Sequence, residues 1–357
     1  MKKILTIMCA TALLGFAACN KDKNEPGNGG NSGQAETVQG EGIYNPAVKI
    51  DRISYSDTTP DQIWVWDGNR LASIMTDTED GGIDFEYTSE DRLQAVEASV
   101  MGADIEATLS YNAQKLISGA GVNVGGIDAL SAVMTHNAQN KLSHISLDAD
   151  DELINMLLTL LPSLMGDMMG DSTGDSPLNY LTAAPASKLS LENKSFEADF
   201  VWNGENVARM IVNASLTLST TLNEIPTELL QTMVPEEYRG MIDLAVSLMG
   251  DTPIPVQLTV ADTVDYTYDN KKNPLKGFFG QVSIAALSTN NIVTVSGHGN
   301  ANISATIDLG ITTMPLGQDT PLNDLGSNSY NYTYTPDGYP SVVTDADGNT
   351  TTYTYKE

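Results

Sequence analysis

Four long stretches of this chain alternate apolar and polar residues with a period of two. Ile105, Ala107, Leu109 and Tyr111 face Asp104, Glu106, Thr108 and Ser110. Ala208, Met210, Val212, Ala214, Leu216 and Leu218 are opposed by Arg209, Asn213, Ser215, Thr217 and Ser219. Val256, Leu258, Val260, Val264, Tyr266 and Tyr268 form a third run, interrupted by Asp262, and Ala301, Ile303, Ala305, Ile307 and Leu309 a fourth. In a strand, successive side chains point to opposite faces, so each run predicts a half-buried strand. Ten or more alternating residues exceed the usual strand of about five or six. Long antiparallel strands that must also limit exposed edges imply a barrel-like or strongly curved sheet.

The connections between strands repeat a recognisable unit. The clearest copies lie in Tyr330 to Tyr355, where Tyr330, Tyr332 and Tyr334 alternate with polar residues before Pro336-Asp337-Gly338. Val342 and Val343 return, Asp347-Gly348 turns again, and Tyr353 and Tyr355 close a third strand. Proline presets φ and glycine accepts positive φ, so these are turn residues with a mechanism. Looser copies are Trp66 to Leu71, Tyr87 to Leu93, Tyr111 to Leu116, His136 to Leu142, Trp202 to Val207 and Tyr268 to Leu275. Positions 136, 202, 268 and 334 are 66 apart, which suggests a duplicated unit. The unit is aromatic, polar turn, aliphatic: an antiparallel meander.

Two segments break the period, near 148–170 and 224–250. Asp148, Asp150, Asp151 and Glu152 open the first with the negative charge that suits a helix N-terminus. Leucines and methionines then occupy nearly every face, so this helix must be buried, and Pro162 kinks or ends it. In the second, Met241, Leu244, Ala245, Leu248 and Met249 follow helical spacing. Both finish in Ser-Leu-Met-Gly-Asp, at 163–167 and 247–251, and read as duplicated α-helical insertions. Packed inside the sheet or over its mouth, Leu157, Leu161, Leu164, Met165, Met241, Leu244, Leu248 and Met249 would form a plug or an apolar ligand lining.

Composition narrows the function classes. The 46 acidic residues against 18 basic ones give a net charge of −28 over 357 residues. Nucleic-acid affinity rests on basic contacts to phosphate, so such a partner is excluded. The balance also argues against charge-driven binding to an anionic membrane. Both cysteines, Cys9 and Cys19, lie at the extreme N-terminus, leaving no disulfide, Cys-based metal site or thiol nucleophile in the folded part.

That N-terminus carries an address. Met1-Lys2-Lys3 precedes an apolar run, Ile4 to Phe16, and Phe16-Ala17-Ala18-Cys19 resembles the bacterial lipobox. The resemblance implies a signal peptide over 1–18, cleavage before Cys19 and lipidation of its thiol. Asn20 after the cysteine then favours the outer membrane, with surface and periplasmic faces both open. Residues 19–43 are rich in Asn, Gly, Lys and Glu and read as a flexible tether, spanning on the order of 25 Å. Residues 44–357 form a single β-rich domain with the two helical insertions.

The lipobox, the Gly-Asn-rich tether and the aromatic-turn-aliphatic hairpins resemble gut-bacterial lipoproteins of unknown function, one family of which is described with a porin-like β fold. The hairpins are also similar to the tyrosine-aspartate repeats of bacterial surface proteins. The likeness covers residues 1–25 and, loosely, 62–145 and 264–355. It implies barrel-like architecture and transfers no catalytic residue.

Catalytic signatures are sparse. There is no Gly-x-Ser-x-Gly elbow, His-Glu-x-x-His or Gly-rich phosphate loop. His136 stands where other copies carry Tyr or Trp, which marks it as structural. Asp345, Asp347 and Asn349 alternate as calcium ligands do, but an Asp-Gly turn explains them without the rest of such a loop. Trp64 and Trp66 share one strand face and serve either as core or as a platform for a sugar ring. Thr58, Ser172 and Thr263 lie in three-residue matches to the O-glycosylation sequon of some gut anaerobes. No cofactor and no metal site is implied. The expectation is a lipid-anchored, non-catalytic envelope protein binding an apolar or carbohydrate ligand. A structural or adhesive role, and a glycan or lipid hydrolase, are the alternatives.

Overall fold

The computed structural model describes residues 43–76, 82–100, 103–151, 154, 190–225, 230–231, 233–278, 284–310, 312–321 and 327–356. Its eighteen strands form one antiparallel sheet. They are β1 (Ile50–Tyr55), β2 (Gln62–Asp67), β3 (Arg70–Thr76), β4 (Gly82–Tyr87), β5 (Leu93–Val100) and β6 (Ala103–Tyr111). Next come β7 (Ile117–Val124), β8 (Ile127–His136), β9 (Leu142–Ala149), β10 (Ser190–Asn203), β11 (Asn206–Thr221) and β12 (Pro253–Tyr268). The series ends with β13 (Ile292–Asp308), β14 (Thr313–Pro321), β15 (Ser327–Ser329), β16 (Asn331–Tyr334), β17 (Pro340–Thr344) and β18 (Thr350–Tyr355). Three of the four long runs read from the sequence became the longest strands, β11 and β12 with 16 residues each and β13 with 17, while the run at 104–111 is β6, with nine.

Each strand pairs with the next from β1 to β14, and β18 returns to pair with β1. β14 and β15 lie one after the other along β13, and β16 continues β15 and pairs with β17. The sheet is strongly curved but not closed along its full length: at one end ladder pairs continue through β13, β15, β16, β17 and β18 to β1, whereas at the other, among the described residues, β14 pairs only with β13.

One end of the sheet is built from the repeated unit. In seven strand pairs the register slips at the aromatic position, at Trp66, Tyr87, Tyr111, His136, Trp202, Tyr268 and Tyr334. The extra residue on the returning strand is a β-bulge, which bends the strand and turns the next side chain to the concave face. Leu71, Leu93, Ile117, Leu142 and Val207 thereby become buried opposite their aromatics. The residue after the aromatic caps the turn: Thr88, Asn112 and Asn137 each accept two backbone N–H groups, two and four residues on. Non-glycine residues hold positive φ at Asp91, Lys115 and Asn140, where these turns close.

The aromatics also tie hairpin to hairpin. Trp66 Nε1 donates to the Ile50 carbonyl at 2.7 Å, Tyr87 Oη to Leu71 at 2.8 Å and Tyr111 Oη to Leu93 at 2.6 Å. Trp202 Nε1 donates to Leu142, Tyr268 Oη to Val207, Tyr332 Oη to Ile292 and Tyr355 Oη to Pro340, all at 2.7 Å. Each bond satisfies a carbonyl at the start of the preceding returning strand, where the ladder itself is disturbed by the bulge. The result is a girdle of seven hydrogen bonds along this rim.

The copy at Tyr268 differs from its sequence reading. Its return is Ile292, not Leu275, and residues 270–290 are spliced into the turn. The cap survives the insertion, since Asp269 Oδ1 accepts from Lys271 and from Asn291. The inserted segment folds onto the concave face and carries a short helix, α2 (Ile284–Leu287). Phe278 lies 5.0 Å from the Trp64 ring and 5.3 Å from Tyr44, whose hydroxyl donates to the Pro274 carbonyl at 2.7 Å. Ile284 and Leu287 join a cluster with Leu142, Phe200, Val207 and Met210. Each such large apolar side chain contributes roughly 1.5–3 kcal/mol by leaving water.

The opposite end is covered by the second predicted helical insertion. A 3₁₀ turn, Glu236–Met241, runs directly into α1 (Ile242–Met249). Leu230, Met233, Val234, Ile242 and Ala245 pack there against Ile254, Val256, Ile303, Ala305, Ile307, Met314 and Leu316. Of the first insertion, Ile154 is buried against Ile105, Val122, Leu130 and Ala149.

Candidate functional site

Between the two packed ends, the concave face of the long strands stays partly open. Val212, Ala214 and Leu216 on β11, and Leu258, Val260 and Val264 on β12, point to the same side as the buried core yet are only half-buried. Facing them on β13 are Gly297, Gly299 and Ala301. The strip is apolar, with the small residues Ala214, Gly297, Gly299 and Ala301 beside the valines and leucines of neighbouring strands.

Asp262 is the polar exception within it. It sits between Val260 and Val264 on β12, paired with Val212 on one side and Gly299 on the other. Its Oδ1 is buried without a hydrogen-bond partner. Burial raises its carboxyl above the ordinary carboxylate range, and the Thr263 backbone amide and His298 only partly oppose this. Gly299 makes the arrangement feasible: a Cβ there would stand 2.6 Å from the Ala261 carbonyl and 3.0 Å from Asp262 Oδ1. Glycine leaves room for the carboxyl to lie across the neighbouring strand. A carboxyl oxygen with an unused lone pair in an apolar wall can accept a hydrogen bond from a ligand. Few convergent polar groups in an apolar surface are the usual composition of a small-molecule site.

The sequence-derived candidates are distributed differently. Met241 and Met249 pack partly buried against the cluster at the helical end. Leu244 and Leu248 do not line it: they are 43% and 60% exposed on the far side of α1. Helical spacing explains this, because Ile242, Ala245 and Met249 make one face and Leu244 and Leu248 the other. Leu157, Leu161, Leu164, Met165, Ser172 and Cys19 lie outside the described residues. Trp64 and Trp66 do share the concave face, but Trp64 is 2% exposed and presents no open ring to a sugar. Trp66 is half-buried, with Lys49 Nζ 5.6 Å from its centroid. Thr58 is exposed in the β1–β2 turn, and Thr263 is half-buried in the middle of β12.

Other polar constellations have structural explanations. Asp345 Oδ1 accepts the amides of Asp347 and Asn349, so its carboxylate serves the turn. His144 Nδ1 and Asp199 Oδ1 meet at 2.8 Å as a cross-strand pair. Among the described residues no group of three or more His, Cys, Asp or Glu could hold a metal ion. No described helix is long and apolar enough to cross a membrane. The outward face of β11–β13 is also polar, with Asn213, Ser215, Thr217, Thr259, Thr263, Asn300, Asn302 and Ser304 where a membrane barrel carries an apolar band.

Asp262 was visible in the sequence only as an interruption of an apolar run. Its burial, and the glycine opposite it, come from the pairing of β12 with β13.

No family model and no curated protein matches the chain. Among solved structures, it is similar to a porin-like protein from Bacteroides uniformis ATCC 8492, at 12% sequence identity and a TM-score of 0.26, over 88% of this chain and 100% of the other.

Proposed function

We propose that this is a non-catalytic envelope protein, attached to the outer membrane through a lipid on Cys19, that binds an apolar ligand on the concave face of β11–β13. One observation carries the reading: an apolar strip bearing a single underused carboxyl stays half-open between two well-packed ends. A wall needed only for stability gains by full burial of such a strip. The polar outward face supports attachment by a tether rather than by strands immersed in lipid. With Trp64 in the core, the apolar ligand is favoured over the sugar.

Uptake of the neutral fluorescent probe N-phenyl-1-naphthylamine tests the site. The parent chain takes up the probe, and Ala214→Trp with Val260→Trp, which fill the strip, abolish uptake without lowering the melting temperature. A parent chain that leaves the probe dark contradicts the reading and favours a purely structural protein.

A further inference from the structure

The charges of this acidic protein are sorted by position. Nine of the thirteen Lys and Arg among the described residues, Lys49, Arg70, Arg92, Lys115, Lys141, Lys271, Lys272, Lys276 and Lys356, lie at the aromatic rim. The repeat puts them there, since a cation immediately precedes the aliphatic return at Lys49-Ile50, Arg70-Leu71, Arg92-Leu93 and Lys141-Leu142. Several stand over aromatics of this rim: Lys49 over Trp66, Arg70 over Tyr87, Arg92 over Tyr111, Lys141 over Trp202 and Lys271 over Tyr334. Seven carboxylates share this end, those of Asp51, which pairs with Lys356, and of Asp67, Glu90, Asp91, Glu205, Asp269 and Asp337. The turns of the opposite end are acidic, with Asp57, Asp61, Asp104, Asp128, Asp251, Asp308, Asp345 and Asp347.

The N-terminal segment enters at the same rim. Tyr44 is buried against Trp66 and Phe278, and Lys49 leads into β1 beside the C-terminal Lys356, whose amide donates to the Lys49 carbonyl. The described chain therefore begins at this rim, 24 positions after Cys19.

We propose that the aromatic rim docks on an anionic membrane surface, its lysines and arginines against lipid phosphates. The long axis of the strands then stands on the membrane, and the acidic end points away from it. Net charge is a poor guide here, because screening confines the interaction to groups within about 10 Å of the surface. Ion pairs hold part of this charge, with Arg70 on Asp91, Arg92 on Glu90, Lys141 on Glu205 and Lys356 on Asp51, and Arg92 and Lys141 are largely buried. The cations left for a lipid phosphate are the exposed ones: the Lys115 side chain is 58% accessible beside Glu90, and exposed pairs hold little energy against a competing anion. The proposal uses the Cys19 reading only to name the membrane and is testable without the lipid.

Every described strand and core cluster lies between Tyr44 and Lys356, so the chain from Asn20 onward contains the whole described fold and carries no lipid. Its co-flotation with vesicles of phosphatidylcholine alone, or mixed with phosphatidylglycerol, is the measurement. Binding is expected only to the mixed vesicles, falling as salt is raised. The exposed reversals Lys115→Glu, Lys271→Glu and Lys356→Glu each weaken it by at least about fivefold, at an unchanged melting temperature. No binding to mixed vesicles, equal binding to both kinds, or a triple variant that binds like the parent overturns the proposal. Absence of fatty-acid label at Cys19 would overturn the anchor reading alone and leave this result standing.

Discussion

The Tyr268 hydroxyl donates to the Val207 carbonyl at 2.7 Å and accepts from Ser288 Oγ at 2.9 Å, joining β12, β11 and the inserted segment at one point. Val207 is fully buried, so its carbonyl has no recourse to water once that donor is gone. Tyr268→Phe keeps the ring and removes only the hydroxyl. The expected cost is about 1–3 kcal/mol, the penalty of a buried acceptor left unpaired. Urea unfolding of the variant measures it. A loss of only a few tenths would show that the girdle is decoration.

The girdle also sets a limit at high pH. Burial pushes the hydroxyls of Tyr87 and Tyr268 up to about 12, and that of Tyr55 to about 12 with help from Asp57 and Asp61. Burial raises Tyr332, Tyr353 and Tyr355 in the same direction. An unfolded tyrosine loses its proton near the ordinary value of 10.0, so above that pH the folded chain holds more protons than the unfolded one. Stability is therefore complete below pH 10 and declines as pH rises towards 12. Melting temperature against pH should fall across this window, together with the tyrosinate absorbance change. Early titration of these tyrosines in the folded protein would contradict it.

The hairpins were legible because their determinants are local. An aromatic, a turn residue and an aliphatic return lie within six residues, and side-chain period and turn chemistry act at that range. The bulge followed from no single residue, yet its position at every aromatic gave the repeat its meaning. The insertion after Asp269 was missed because Leu275 supplies an aliphatic residue just where a return was expected. Its true place depends on Tyr44, Trp64 and Phe85, which are distant in sequence. Leu244 and Leu248 misled for another reason: hydrophobicity does not say which face of a short helix finds a partner. The basic rim was hidden behind a net charge that averages over both ends.

The covering helix gives a paired test. Ala245 is 1% exposed against the β12–β14 cluster, whereas Leu248 is 60% exposed. Ala245→Asp places a carboxylate without a partner in that cluster and should cost at least roughly 2 kcal/mol. Leu248→Asp should stay within about 0.5 kcal/mol of the parent, as surface changes do. Thermal unfolding of the two variants side by side decides whether α1 is part of the core. Equal effects would mean that the helix is not docked as described.

Asp262 and Gly299 provide the sharpest prediction, because stability and function pull in opposite directions there. A group whose folded carboxyl is raised binds protons in the folded state above the pH at which the unfolded chain has lost them. Its contribution is therefore complete below the ordinary 3.8 and is lost as pH rises through the raised value. Asp57, Asp61, Glu90 and Glu205 are lowered and carry the opposite sign, so only a difference between variants isolates Asp262. Asp262→Val should raise the melting temperature at neutral pH, since a β-branched apolar residue suits this strand and removes a desolvated carboxyl. The difference from the parent should shrink as the pH is lowered towards 3.8. Gly299→Ala should do the reverse and destabilise by about 1–3 kcal/mol, because its Cβ would meet the Ala261 carbonyl at 2.6 Å and the Asp262 backbone at 3.0 Å. A more stable valine variant would show that the aspartate is not there for the fold, which leaves the ligand as its reason. A valine variant less stable than the parent would make Asp262 a structural residue and take the carboxyl out of the binding site.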